Sequence, residues 1–205
     1  MVFFSQTLGG ACNTGTFESP WRSLEMGIRM AAPWPEAFFG FQQADAFSTS
    51  GRVLLLLGVF EHFRGLLVDG GHPGHGTVNW EMTQWRGLLS AAAAFPEVNG
   101  APEVATASMK YLTMFLESGV YADGVETEMA SGYDMGTASD YFQSLKLTRL
   151  SGLPTPPQSY TQRVEAMFEY GAYIADPDGC LPMNGDSDLC GSGFTAEVRK
   201  TCTFS

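Results

Sequence analysis

Long apolar runs are missing from this sequence. The longest strongly apolar stretch is Val53–Leu57, far short of the roughly 20 residues a membrane-spanning helix needs, so no membrane partner is expected. Basic charge is scarce: 11 Lys and Arg stand against 22 Asp and Glu, giving a net charge of −11 and a pI near 4.5. Such a surface repels phosphate backbones, so no nucleic-acid partner is expected. Cysteine is sparse as well. Cys12, Cys180, Cys190 and Cys202 show no CxxC spacing, so no metal site is indicated, although Cys180 and Cys190 stand close enough to close a loop. Residues 1–12 hold neither Lys nor Arg and no sustained apolar core, so no signal peptide is read in this chain. P-loop, GxSxG and GxGxxG signatures are absent too, and no cofactor is expected.

What remains is a chain of 205 residues, 44% hydrophobic, long enough to bury a sizeable core as a single domain over 1–205. Helical patterning dominates and no convincing alternating strand occurs, so the class expected is all-α. Ser19-Pro20 reads as the start of a helix with Trp21, Leu24 and Ile28 on one side. Trp34-Pro35 then interrupts ahead of the aromatic stretch Phe38–Phe41. Longer helices are expected over about 50–68, 79–95, 102–117, 132–151 and 157–175, the third burying Tyr111, Met114 and Phe115.

The connections carry more information than the helices. Those at about 69–78, 118–131 and 176–192 are long and rich in Gly, Asp or His. Those at about 96–101 and 152–156 are short. In a stack of antiparallel helices alternate connections emerge at one end, so the long ones are expected to share a rim, where a site is expected. Polar residues keep the same beat. Asn79, Tyr133 and Asp186 are spaced by 54 and 53 positions, about one helical hairpin each, and could face one cleft.

In the stretch Tyr121–Asp134, Asp123-Gly124 supplies a turn, Glu126 and Glu128 are expected to point outward, and Tyr133 falls in the first turn of a helix. A helix N-terminus favours negative charge by about 0.3–1 kcal/mol, a modest help to a phenol whose ordinary pKa is about 10. Tyr133 is therefore either a base or a packed tyrosine with a backbone partner. Asn79 is either an N-cap or an amide poised for a carboxylate, and Trp80 either a sugar platform or a core residue. His72 and His75 read as part of a mobile Gly-rich loop, His62 as a satisfied core or helix-face residue. The stretch Asn184-Gly-Asp186-Ser-Asp188 faintly suggests calcium, but the pattern is incomplete and a turn cluster explains it, with sugar hydroxyls as possible ligands.

Taken together, these segments resemble the heparinase II/III and alginate-lyase-like polysaccharide lyases. The matching stretches are Trp21–Arg29, Asn79-Trp80, Phe95-Pro96-Glu97, Asp123–Glu128 through Tyr133, Pro177-Asp-Gly and Gly185–Asp188, in the family's order over about 21–188. The resemblance implies an incomplete (α/α) toroid of antiparallel helical hairpins, with no β-sandwich in this chain. A β-sandwich domain is expected in a full-length parent, and β-elimination on uronic-acid glycans of heparan sulfate or alginate type. It implies Tyr133 as catalytic base and acid and Asn79 as the group that neutralises the uronate carboxylate. Trp80, Glu128, Asn184 and Asp186 become substrate-binding residues, the partner an acidic polysaccharide and the location periplasmic or secreted.

The sequence departs from the family where Asp134 follows the tyrosine in place of the frequent His, and where Met82 occupies a position that is often polar. No later catalytic histidine is identifiable after Asp188, so the chain reads as a central-to-late piece of a toroid, with activity expected of the parent rather than the piece alone. The alternatives are a catalytically inactive carbohydrate-binding toroid and a structural helical-repeat fragment with an exposed apolar face. For a sulfated substrate, Arg22, Arg29, Arg86 and Lys110 would have to gather near the cleft.

Overall fold

The computed structural model describes residues 21–69 and 78–188. Seven helices are named among them: α1 (Ser23–Ala31), α2 (Pro33–Gly40), α3 (Thr49–Asp69), α4 (Val78–Ala94), α5 (Ala101–Gly119), α6 (Ser131–Ser151) and α7 (Gln158–Ile174). Among the described residues the β-structure is one antiparallel bridge, Val120 to Glu126. The all-α class is borne out. The helices form two units, Met1–Tyr111 and Leu112–Ser205.

In the first unit α1 lies against α4. Glycine decides how close. A Cβ on Gly27 would meet the Thr83 carbonyl oxygen at 2.8 Å, and one on Gly87 would meet the Gly27 carbonyl oxygen at 2.6 Å. The crossing is therefore backbone on backbone. It is pinned at one end by Gln84 Nε2 donating to Ser23 Oγ at 2.9 Å, and at the other by Ser90 Oγ donating to the Ala31 carbonyl at 2.6 Å. The buried face of α1 is consequently Met26, Gly27, Met30 and Ala31. Ile28 is 49% exposed and Trp21 precedes the helix, so the expected Trp21/Leu24/Ile28 side is not the core side. Pro33 and Pro35 open α2 rather than interrupt it, because a proline in the first helical turn lacks only an N–H that would have had no intrahelical partner. Phe38 and Phe39 then pack on Phe95. Phe63 and Leu66 of α3 and Met82, Leu88 and Leu89 of α4 fill the core. The outer side of α3 leaves Val53, Leu57, Phe60 and Val68 exposed.

In the second unit α6 and α7 form a hairpin. Gly152 adopts φ +64 at the C-cap of α6 and donates its N–H to the Thr148 carbonyl, ending the helix before the proline-rich turn. Tyr141 and Tyr160 are both fully buried, with Tyr160 Oη donating to the Tyr141 carbonyl at 2.8 Å. Leu112, Phe115, Leu116, Leu145, Val164 and Met167 complete this core. Phe115 is thus buried as expected, but Met114 is exposed and Tyr111, in the first unit, stacks on Trp85 at 4.2 Å. The helix turns its Ala105/Met109/Leu112/Leu116 stripe inward instead.

Candidate active site

Each unit carries part of the expected site. In the first, α4 begins at Val78, one residue ahead of the expected cap, so Asn79 lies inside the first helical turn, where its carbonyl accepts from Thr83 Oγ1 at 2.9 Å. Trp80 is half-buried beneath the Arg22 guanidinium, 5.0 Å from the ring centroid. Arg22 also forms an ion pair with Glu25, which holds the guanidinium pKa above its ordinary value and the carboxyl below. Beside them His62 is only 2% exposed. Its ring lies 4.8 Å from Trp21 and 4.3 Å from Trp34. Nδ1 is 2.9 Å from the Gly58 carbonyl and Nε2 is 2.5 Å from Arg29 Nη1. A neutral imidazole with its proton on Nδ1 satisfies both contacts, since Arg is donor only. Burial first, and the Arg29 charge second, push the His62 pKa down to about 4, against the Gly58 hydrogen bond. The core reading of His62 holds. His72 and His75, with Ser19-Pro20 and Gly70-Gly71, lie outside the described residues.

In the second unit the 118–131 connection is built as a tight turn. Tyr121 N–H donates to the Val125 carbonyl at 2.8 Å and Thr127 N–H to the Gly119 carbonyl at 2.9 Å. Gly124, at φ +91, presses on α7 so closely that a Cβ would stand 2.1 Å from the Ala166 carbonyl oxygen. Arg163 Nη1 donates to the Val120 carbonyl at 2.8 Å from the same helix. A second turn, Met129 N–H to the Glu126 carbonyl, follows at once. It breaks the strand-like alternation that had placed Glu126 and Glu128 both outward. Glu128 is exposed, whereas Glu126 is 1% exposed.

Glu126 meets Asp134, also 1% exposed. Asp134 Oδ2 accepts the Glu126 N–H at 3.2 Å, and Glu126 Oε1 accepts from Thr137 Oγ1 at 3.4 Å. The other oxygen of each carboxyl is buried with no hydrogen-bond partner among the described residues. Burial, then the charges of Glu128 and Asp134, push Glu126 up to about 7. Burial pushes Asp134 up to about 6, opposed by the Glu126 amide and aided by Asp123. Two buried carboxyls without a cation between them hold on to protons.

Tyr133 is next to this pair in the chain but not in its environment. It lies in the first turn of α6 with 46% of its surface exposed, not packed away. Asn184 and Asp186 are exposed on the 176–188 connection. That connection returns to the start of α6: Asn184 Nδ2 donates to the Met129 carbonyl at 2.6 Å, and Gly132 N–H donates to Ser187 Oγ at 3.0 Å. Two of the three long connections therefore meet, at the tyrosine. Cys180 of the later one is disulfide-bonded, and Cys12, Cys190 and Cys202 lie outside the described residues. Ser187, the Glu126/Asp134 pair and the His62/Arg29 pair went unrecognised as partners in the sequence, because each joins residues through turns or helix crossings that no local pattern encodes. Among the described residues no cluster of His, Cys, Asp and Glu could hold a metal ion, and no helix is long and apolar enough to cross a membrane.

Comparison with known proteins agrees with this architecture. The heparin-sulfate lyase of Pedobacter heparinus is 26% identical over 175 residues, covering 85% of this chain and 26% of that protein. A heparin-sulfate lyase of Bacteroides thetaiotaomicron is 25% identical over 129 residues, 59% of this chain and 18% of its own. Among solved structures, a heparinase III superposes with a TM-score of 0.75 at 20% identity over 86% of this chain and 27% of that one. A heparan sulfate lyase from Pedobacter heparinus gives a TM-score of 0.64 at 27% identity, over 82% of this chain and 26% of that one. The chain thus spans about a quarter or less of the length of these relatives. The sequence model described as Heparinase II/III N-terminus matches residues 10–203, nearly the whole chain. On that match, the chain belongs to the heparinase II/III family.

Proposed function

We propose that the protein is a polysaccharide lyase that cleaves uronic-acid glycans by β-elimination, with the described helices forming part of an (α/α) toroid. The exposed apolar side of α3 suits a neighbouring helix in such a ring. The observation that carries the chemistry is Tyr133, half exposed in the first turn of α6 where two long connections meet. In this reading its phenolic oxygen takes the proton from C5 of the uronate. The C5 electron pair forms the C4–C5 double bond as the C4–O bond breaks, and the phenol returns a proton to the leaving oxygen. Asn79 hydrogen-bonds the uronate carboxylate, where charge gathers as C5 is deprotonated, a contribution of about 2.7–4 kcal/mol per donor. Trp80, with Arg22 over it, offers a flat face and a nearby cation for an acidic sugar ring. Glu128 and Asp186 contact the polymer, and the substrate is a heparan sulfate- or alginate-like polymer met in the periplasm or outside the cell.

The experiment is ultraviolet absorbance of the unsaturated uronate product, followed with the full-length protein on heparan sulfate, alginate and related polymers. A signal that disappears in Tyr133→Phe is expected. Absence of product from every uronate polymer overturns the reading.

A further inference from the structure

We propose that Ser187 and Asn184, on the connection after α7, are positioning residues for Tyr133, clamping the four residues that lead into it. The proposal rests on the reading of Tyr133 as the reacting group. Helix α6 begins with Ala130 at its N-cap and no side-chain cap, so its first N–H groups must find partners elsewhere. One comes from 55 residues further along: Ser187 Oγ accepts the Gly132 N–H at 3.0 Å.

The remaining contacts follow residue by residue. Ser131 Oγ donates to the Pro182 carbonyl at 2.5 Å and lies 3.3 Å from Ser187 Oγ. Ala130 packs on Gly185, where a Cβ would come within 3.2 Å of the Ala130 Cβ. Met129 takes φ +53, a left-handed conformation that costs a non-glycine residue energy and persists only where its surroundings hold it. Asn184 Nδ2 holds it, donating to its carbonyl at 2.6 Å. From Met129 to Gly132, then, every residue touches the 182–187 segment.

Tyr133 comes next. It is 46% exposed, so packing covers only about half of it and the aim of the phenol depends on the backbone before it. A misplacement of about 1 Å at a reacting group can cost about a hundredfold in rate. The Asn184 amide and Ser187 hydroxyl face backbone groups, which assigns them to aim rather than to the sugar.

The test uses the full-length protein and the product-absorbance assay. Ser187→Ala is expected to lower kcat about tenfold or more while KM stays within about twofold, because the loss falls on alignment in the transition state and not on binding. Asn184→Ala is expected to act in the same direction. Ser187→Thr, which keeps the hydroxyl, is expected to recover most of kcat. Amide hydrogen exchange gives the second measurement: Gly132 and Tyr133 exchange faster in Ser187→Ala while α7 stays protected, which separates a loosened clamp from an unfolded chain. Wild-type kcat in Ser187→Ala, with Tyr133→Phe inactive, overturns the clamp alone, and so does a loss carried wholly by KM. A Tyr133→Phe protein as active as wild type overturns the reading beneath it and the clamp together.

Discussion

In residues Met1–Tyr111 a buried histidine is displaced from its ordinary titration behaviour; in Leu112–Ser205 a pair of buried carboxyls is. Burial acts on both in the same sense, against the charged form. Their neighbours differ. Arg29 touches His62 and discourages a second positive charge, while Glu126 and Asp134 have only further acids, Glu128 and Asp123, adding to their shifts. Composition tells the same story. The first unit holds six Lys and Arg against nine Asp and Glu, a net of −3, and the second five against thirteen, a net of −8. If the proposed reading holds, an acidic polymer would be repelled less by the unit that bears Asn79, Trp80 and Arg22 than by the unit that bears Tyr133.

The comparison can be broken or sharpened by experiment. The largest effect is expected from Tyr133→Phe, a loss of about 10²- to 10⁴-fold in kcat with little change in KM. The rate of product formation would show it, and an equal loss from substitution at exposed Tyr173 would remove any special role for the rim. Next come the two glycine contacts. Gly124→Ala combines φ +91 with a Cβ 2.1 Å from the Ala166 carbonyl oxygen and is expected to cost about 2–4 kcal/mol. Gly27→Ala, meeting the Thr83 carbonyl oxygen at 2.8 Å in ordinary helical geometry, is expected to cost about 1–3 kcal/mol. Denaturant midpoints decide the order, and a reversal contradicts it.

The pH response follows. Glu126 holds its proton up to about 7 in the folded chain against 4.5 ordinarily. The folded state binds more protons in that window, so stability falls as pH rises from about 4.5 to about 7, by up to about 3 kcal/mol. His62 runs the other way. With its pKa at about 4 against 6.5, the unfolded state binds more protons, and stability falls as pH drops from about 6.5 to about 4. Thermal midpoints of Glu126→Gln measured from pH 5 to pH 8 should lose much of the alkaline decline and keep the acid one; an unchanged alkaline limb would show that Glu126 ionises freely. The smallest effect is expected from Arg29→Met. Removing the neighbouring charge lets the His62 pKa rise part of the way toward its ordinary value, since burial remains the larger cause, and NMR titration of its ring reads the change.

Much of the fold could be read in advance because it depends on local chemistry. The helices from Thr49 to Ile174 begin and end within two residues of expectation, since Gly152 and the prolines around 154–157 act where they stand. The faces of α1 and α5 were less legible. Ile28 and Met114 suit a core as well as Met26 and Met109 do, and only the Gly27/Gly87 approach and the packing of α5 choose between them. The candidate site divides in the same way. Tyr133 stood out because a Gly-rich turn and a helix start flank it. Glu126 did not, because the Met129 turn reverses the outward alternation its neighbours suggest.

By itself, then, the sequence determined an acidic, all-helical chain with its unusual residues collected in long connections, because charge, periodicity and turn chemistry are properties of short stretches. The tertiary structure decided the rest: Ser187 at the Gly132 amide, Asn184 at the Met129 carbonyl, His62 against Arg29, Glu126 against Asp134. Each of these pairs owes its chemistry to burial or to a hydrogen bond across the fold, and neither quantity exists until the chain has closed on itself.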